Sequence, residues 1–259
     1  MTAPAEPVEL SILLPVRNEG VNLRIMVKIL RAIVGVPYEV LVVHDTPDDD
    51  SIAVVRAMQD GYPEAHLVHN QLGRGVVNAI RAGVAAAGGT YVLIFAADEV
   101  GPVLAIAEML DLMRGGCEFV SCTRYAHGGR RLGGSAVGST LSRLANKLFH
   151  WLAGSPFTDS TTGIKMFRRD GFARLDLQSR PIGWAVAFEM AIKAQQLGMR
   201  LGEVPIVSID RLYGGESTFR LGSWMLEYSR WFVWGWRHRR AAGARASTRC
   251  EVRVPQNWL

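Results

Sequence analysis

The sequence predicts an α/β fold, in which a mostly parallel, Rossmann-like sheet carries helices on both faces. Strand-like and helix-like segments alternate through the first 125 residues, and the predicted strands are almost continuously apolar. Parallel strands covered on both faces have this composition. With 259 residues, 49% of them apolar and 20% charged, the chain can build a packed core and does not resemble a disordered segment.

Nine elements are predicted in the first half from apolar runs and helical periodicity. The strands are expected at 10–15, 39–43, 65–69, 91–95 and 119–122. The helices are expected at 21–34, 51–58, 76–87 and 104–113, with Ser51 as the N-cap of the second. Each of the first four strands is followed by a helix, which is the pattern of a parallel sheet.

The second half is less regular. Helices are expected at 139–152, 184–197 and 221–240, and strands at 166–167 and 203–207. The glycine-rich stretch 128–134 is expected to be a mobile loop. We therefore divide the chain into a main domain at 1–220, a helix rich in Trp and Arg at 221–240, and a loose basic tail at 241–259.

Three cysteines without metal-ligand spacing favour a reducing cytosol. The first residues do not resemble a signal peptide, and no apolar run approaches the ~18 residues of a spanning helix. The tryptophans and arginines of 221–240 fit either a membrane surface or packing against the main domain. No nucleic-acid-binding module is recognisable, so no nucleic-acid partner is expected. We expect a cytoplasmic protein, which is peripheral on the inner face of the membrane if the helix at 221–240 binds lipid.

Ligands of parallel sheets bind at the carboxyl ends of the strands. Here those ends lead into the turns at 15–19, 44–50, 72–75 and 96–98. The glycine fingerprint of a dinucleotide-binding oxidoreductase does not follow the first strand, and the P-loop pattern is absent. A nucleotidylyltransferase would carry a glycine-rich, lysine-containing segment after that strand, and none is present.

Eight segments in order resemble family 2 glycosyltransferases. Three of them are LLPVRNEGVNL at 13–23, VVHDTPDDDS at 42–51 and LGRGVVNAIRAGVAAAGG at 72–89. The others are SCTRY, SRLAN, DSTTGIKMFRR, AFEM, and EVPI with IDRLYGGES, which begin at 121, 142, 159, 187 and 203. The most similar subgroup is the dolichyl-phosphate mannose and polyprenyl-phosphate sugar synthases. The resemblance implies a GT-A fold, a nucleotide-diphosphate sugar donor, an inverting single displacement and a divalent metal.

The resemblance assigns nucleotide binding to the first three turns. Asp45 stands where the family reads the base, although an acid there can also simply organise an Asx turn. Arg17 can equally be a surface arginine. The implied nucleotide-binding residues are Pro15, Arg17, Glu19, Asp45, Asp49 and Gly75.

The family's metal motif is Asp-x-Asp after the fourth strand, and this chain has Ala96 and Asp98 at those positions. Only Asp98 is left to hold an ion. Mg²⁺ often uses one or two carboxylates plus substrate phosphates. We therefore expect Mg²⁺ or Mn²⁺ to bind weakly, and only together with the donor.

Arg124 and Lys165 match family positions near the diphosphate, and Glu189 matches an acid near the acceptor. A hydroxyl acceptor needs such a base, whereas a lipid phosphate needs none. The subgroup's acceptor-loop arginine is Gly138 here, so Arg130 or Arg131 would replace it beside Ser142. Arg211, Gly215, Glu216 and Ser217 match the family's closing motif.

These residues predict an enzyme that moves a sugar onto a polyprenyl phosphate or a membrane-associated glycan. The competing hypothesis is a degenerate family member that binds a nucleotide or a partner without turnover. Ala96 and Gly138 support this alternative.

Overall fold

A computed structural model describes residues 7–133, 136–209, 221–242 and 249–255. An eight-stranded sheet in the order β10-β8-β5-β7-β4-β1-β2-β3 forms its centre. Its strands are β1 (Leu10–Pro15), β2 (Tyr38–His44), β3 (Ala65–His69), β4 (Tyr91–Ile94), β5 (Phe119–Thr123), β7 (Lys165–Arg168), β8 (Leu201–Pro205) and β10 (Cys250–Val252). The five strands predicted in the first half are confirmed to within two residues.

All pairs in this sheet are parallel except those of β7, which runs antiparallel to both β4 and β5. Because β7 is reversed, it begins at the edge where its neighbours end. Lys165, its first residue, is paired with Ile94 and with Ser121.

Helices cover both faces of the sheet, as predicted. The side chains of α1, α2 and α4 pack in one apolar cluster, and those of α3 and α6 pack in a second cluster on the other face. The helices are α1 (Gly20–Ile33), α2 (Asp50–Met58), α3 (Val76–Ala86), α4 (Ile106–Arg114), α5 (Ala136–Ala153), α6 (Ala185–Gln196) and α7 (Leu221–Ala242). Two 3₁₀ segments, Gly101–Ala105 and Arg169–Leu175, complete the described elements.

Three local predictions are wrong. The N-cap of α2 is Asp49, whose carboxylate accepts a hydrogen bond from the Ser51 backbone N–H, and Ser51 lies within the helix. The stretch 128–134 contains β6 (Arg130–Leu132), which pairs with β9 (Val207–Ile209). Part of the supposed tail forms β10, an edge strand beside β8.

Helix α7 packs beside α5 and α6. Trp231 is buried against Phe149 and Phe188, so packing accounts for this tryptophan. Trp236, by contrast, is 55% exposed. Within the described residues, no helix combines the length and apolarity needed to span a bilayer. The predicted domain division falls at 220, inside the undescribed 210–220, and stays a prediction.

Candidate active site

The carboxyl ends of the parallel strands converge on one edge of the sheet. Chain segments at 15–19, 44–49, 70–75 and 96–98 leave the sheet there, together with Arg124 after β5. The reversed strand β7 brings the preceding loop, 155–164, to the same edge. The sheet topology therefore brings together most of the residues that the sequence identifies.

The turn after β1 is held against the start of α2. Asn18 adopts a left-handed conformation at φ 57°, and its backbone N–H donates to the Asp49 carboxylate at 3.1 Å. The Gly20 N–H donates to Asp50 at 3.0 Å. Asp49 is buried and bonds two backbone groups, so its described contacts are structural. Arg17 is exposed.

Asp45 joins two of the site's loops. One carboxylate oxygen accepts from the Asn70 side-chain amide at 2.7 Å, and the other accepts from the Gly75 N–H at 2.9 Å. A carboxylate has about four lone-pair sites, so these bonds leave acceptor capacity for a base. Both predicted roles of Asp45, loop organisation and base reading, are compatible with this geometry.

Gly75 lies where only glycine fits. Its φ is +123°, and a Cβ at this position would lie 2.5 Å from the Pro181 Cβ. The loop before α3 therefore packs directly on the segment before α6. Pro15 and Glu19 are half-buried in the neighbouring turn, and the Glu19 carboxylate accepts from Asn22 at 2.7 Å.

Asp98 is half-buried just beyond β4, and Ala96 supplies no ligand beside it. The next acid, Glu99, accepts a hydrogen bond from Ser208 on β9 at 3.2 Å. Within the part of the chain that is described, no three His, Cys, Asp or Glu side chains cluster to hold a metal. One carboxylate at the strand end is compatible with an ion held chiefly by substrate phosphates.

Arg124 forms a two-pronged ion pair with Asp159. The Arg124 Nε lies 2.7 Å from one Asp159 oxygen, and Nη2 lies 3.0 Å from the other. Burial alone would lower the pKa of Arg124 and raise that of Asp159, but their mutual attraction reverses both shifts. Both groups are therefore charged at neutral pH, and the guanidinium is fixed in orientation at the site edge.

Lys165 is enclosed behind this pair. It is fully buried, and its Nζ donates to the Ser121 hydroxyl at 2.7 Å and to the Ser160 carbonyl at 3.4 Å. Burial lowers the pKa of Lys165 to about 8. The structure corrects the expectation of a direct phosphate contact, because the ammonium group faces the 155–164 loop inside the protein.

Glu203 on β8 is a residue whose role the sequence reasoning missed. Its carboxylate accepts from the Thr158 N–H at 2.9 Å, the Thr158 hydroxyl at 2.7 Å and the Asp159 N–H at 3.2 Å. Glu203 therefore fixes the residue that holds Arg124. An acid at the first position of an otherwise apolar predicted strand was the signal available in the sequence.

Glu189 is also buried, on α6. Its carboxylate accepts from the backbone N–H groups of Gln178 and Ser179, the latter at 2.8 Å, and it pairs with Lys193 at 2.8 Å. The structure corrects the expected role as a base facing the acceptor. Glu189 instead secures the segment that leads to Pro181 and, through it, to Gly75.

The candidate acceptor residues lie on two elements. Ser142 of α5 shares a hydrogen bond with Thr161 at 2.9 Å, and Thr161 in turn contacts Arg124 at 3.0 Å. Arg130 and Arg131 lie on β6, beyond the end of β5, with Arg130 exposed. Of the closing motif, Arg211, Gly215, Glu216 and Ser217 lie outside the described residues.

This fold is an α/β domain whose candidate ligand site lies at the carboxyl ends of its parallel strands. Residues 11–176 match the model of the family described as glycosyl transferase family 2. The match covers more than half of the chain, so the chain belongs to this family, as the sequence motifs predicted.

Its relatives include a dolichol-phosphate mannosyltransferase of Pyrococcus furiosus, 24% identical over 86% of this chain and 62% of the relative. A polyprenol monophosphomannose synthase of Mycolicibacterium smegmatis is 25% identical over 82% of this chain and 85% of the relative. Glycosyltransferase AglD of Haloferax volcanii is 28% identical over 79% of this chain. The chain spans only 34% of AglD's length.

Two solved structures share the fold. Glucosyl-3-phosphoglycerate synthase from Mycobacterium tuberculosis, in complex with Mn²⁺, UDP and glucosyl-3-phosphoglycerate, has a TM-score of 0.65 and 18% identity, with 91% of this chain and 80% of that chain covered. A mannosyltransferase from Pyrobaculum calidifontis, in complex with GDP-Man and Mn²⁺, has a TM-score of 0.63 and 19% identity, with 94% and 67% covered. The predicted GT-A fold is confirmed.

Proposed function

We propose that this chain is an inverting glycosyltransferase that moves a sugar from a nucleotide-diphosphate sugar to a polyprenyl phosphate. The family, and relatives named for dolichol-phosphate and polyprenol-phosphate mannose transfer, support the reaction class. The acceptor proposal depends chiefly on one observation, the complete burial of Glu189 among internal donors.

A sugar hydroxyl must lose a proton to a base as it attacks. A lipid phosphate is already an anion and needs no base. Because Glu189 is enclosed and already accepts hydrogen bonds, the nucleophile that fits best is a phosphate. The alternative acceptor, a membrane-associated glycan, would require a carboxylate that reaches its hydroxyl.

In the proposed displacement, a phosphate oxygen forms a bond to the anomeric carbon. The bond from that carbon to the diphosphate breaks, and its electrons leave with the nucleoside diphosphate. Preorganised positive charge stabilises this leaving group, and Arg124 in its fixed ion pair would supply part of it. Asp45 and Gly75 would position the nucleoside, and Ser142, Arg130 and Arg131 would line the acceptor side.

Mg²⁺ or Mn²⁺, when bound, would neutralise charge on the diphosphate oxygens. Both solved structures contain Mn²⁺ together with a nucleotide or nucleotide-sugar. Asp98 would hold the ion in this chain, with the donor's phosphates completing its shell. Binding would therefore be weak until the donor is present.

The test of the acceptor compares two lipids that differ only in the phosphate. UDP- and GDP-sugars labelled in the sugar are incubated with Mn²⁺ and either a short polyprenyl phosphate or the matching polyprenol. We expect labelled lipid only from the phosphate. Labelling of the polyprenol, or of a saccharide acceptor in preference to both, would contradict the proposal.

A degenerate, non-catalytic member is the second candidate, because Ala96 removes one acid of the metal motif. Such a protein would bind the nucleotide but release no nucleoside diphosphate from any donor. Calorimetric titration with UDP and GDP, run beside the transfer assay, separates binding from turnover.

A further inference from the structure

Helix α5 carries an apolar stripe on the outside of the protein. Trp151 is 81% exposed, and the four other members are each at least 40% exposed within the described structure. Successive residues of a helix are about 100° apart, so the five side chains span an arc of about 100°. The stripe consists of Leu141, Leu144, Leu148, Trp151 and Leu152.

The opposite face of α5 is packed, so the stripe is not a misoriented core face. Phe149 is fully buried, and its ring lies 4.6 Å from that of Phe188 on α6. Asn146 is buried and donates to Asp159 at 3.2 Å. These contacts fix the rotation of the helix and leave the stripe facing outward.

The charged side chains of α5 itself have one sign. Arg143 and Lys147 are exposed on the arc between the stripe and the packed face. The sequence of α5 contains no Asp or Glu in its 18 residues. The neighbouring helix α7 contains one acid, Glu227, which is buried and paired with Arg230 at 2.9 Å.

Helix α7 lies beside α5, as the 6.1 Å contact between the rings of Phe149 and Phe232 demonstrates. It also exposes large apolar side chains, at Leu226, Val233 and Trp236, and Arg237 lies next to the last of these. Two adjacent helices therefore combine exposed apolar side chains with exposed cations and no exposed acid among their described residues.

We propose that α5 lies on the surface of an anionic bilayer, with its stripe among the acyl chains and with Arg143 and Lys147 at the lipid phosphates. An apolar face, an interfacial tryptophan and flanking cations are what such a surface binds. A second copy of this chain, which has a net charge of +5, would bring cations against cations, whereas an anionic bilayer pairs them with phosphates. The orientation would also bring Ser142 close to the lipid headgroups, a consequence that rests on the proposed function.

The test is co-sedimentation of the full chain with vesicles, without donor or acceptor, so that docking is measured independently of catalysis. The vesicles contain either phosphatidylcholine alone or phosphatidylcholine with phosphatidylglycerol. The variant is Leu144→Glu with Leu148→Glu. The matched control is Val21→Glu with Ile33→Glu on α1, two side chains that are 69% and 45% exposed.

We expect the wild-type chain and the α1 control to bind the anionic vesicles, and the α5 variant to bind at least about tenfold more weakly. Binding to neutral vesicles should be weaker for all three proteins. Trp151→Phe should stay bound but lose part of the blue shift of tryptophan fluorescence. Equal binding of the α5 variant and the control would overturn the proposal. A lipid-free dimer that only the α5 variant disrupts would also overturn it, in favour of self-association.

Discussion

Four ionisable side chains near the site edge contact one another or the loop between them, and three of them are buried while Arg124 is partly exposed. Arg124 pairs with Asp159, while Glu203 and Lys165 hold the loop that carries Asp159. A buried charge is tolerated only when it is paired or hydrogen-bonded. This network fixes the orientation of Arg124, the one cation among these four that reaches the edge.

Glu203 gives the network a pH dependence. Burial raises its pKa to about 7 from an ordinary 4.5, although the bonds from Thr158 and Asp159 favour the charged form. Between pH 4.5 and about pH 7, the folded state binds the Glu203 proton more tightly than the unfolded state does. The contribution of Glu203 to the free energy of unfolding therefore falls as pH rises through this range.

We expect the wild-type free energy of unfolding, relative to that of Glu203→Gln, to fall between about pH 5 and pH 7. Urea unfolding at several pH values measures it, with Glu251→Gln on the exposed edge strand as the control. A constant difference between wild type and Glu203→Gln across this range would mean that Glu203 does not titrate there.

Metal binding at Asp98 should depend on the donor. Mn²⁺ should bind the apo protein weakly and the nucleotide-bound protein more tightly, because Asp98 relies on phosphate oxygens. Ala96→Asp should tighten apo binding by about tenfold, worth roughly 1.4 kcal/mol. Titration calorimetry with and without GDP or UDP measures both affinities.

The double variant Ala96→Asp with Asp98→Asn is the control for this effect, since the gained affinity requires both carboxylates. Tight, stoichiometric Mn²⁺ in the wild-type apo protein would contradict the account.

The geometry of the site depends on contacts between its loops. The loop before α3 rests on Pro181, and Glu189 of α6 fastens the segment that contains Pro181. Gly75 is the contact point, and its left-handed φ and its lack of a Cβ are both required.

Gly75→Ala should therefore destabilise the protein by about 1–3 kcal/mol and weaken nucleotide binding, because the added Cβ would displace the loop. Gly35→Ala is the matched control, since a Cβ there meets nothing within 4 Å. Urea unfolding and nucleotide titration of both variants check the prediction. Equal stability of the two variants would show that the loop adjusts freely.

The sequence predicted the long elements and failed at the short ones, for a physical reason. Strands such as β1 are buried on both faces and so are continuously apolar, which a single sequence reveals. The three-residue strands β6 and β10 contain Arg130, Arg131 and Glu251, and only their distant partners make them strands. The reversal of β7 likewise depends on its neighbours rather than on its own residues.

The rule that ligands bind at the carboxyl ends of parallel strands located the correct edge of the sheet. It did not predict how deeply each side chain at that edge is buried. Lys165 and Glu189 carry charges, which favour exposure, yet both are fully buried. Their partners come from segments far apart in the chain or from backbone groups, which periodicity does not reveal. Asn70, the partner of Asp45, follows β3 directly and could have been found by the same rule.

The GT-A fold of the molecule and the fixed orientation of Arg124 both fit the proposed transfer reaction, in which a nucleoside diphosphate is the leaving group. Fold alone does not establish function. The alanine at position 96 fits both an enzyme that relies on its donor for metal binding and a protein that has lost turnover, so only a measurement of turnover separates the two.

The most direct measurement is release of nucleoside diphosphate from UDP- and GDP-sugars by the wild-type chain and by Asp98→Asn, with Mn²⁺ and polyprenyl phosphate present. We predict turnover of at least one donor by the wild type and a loss of about a hundredfold or more in the variant. No turnover of any donor by a wild-type protein that still binds the nucleotide would contradict the account and identify a degenerate member of the family.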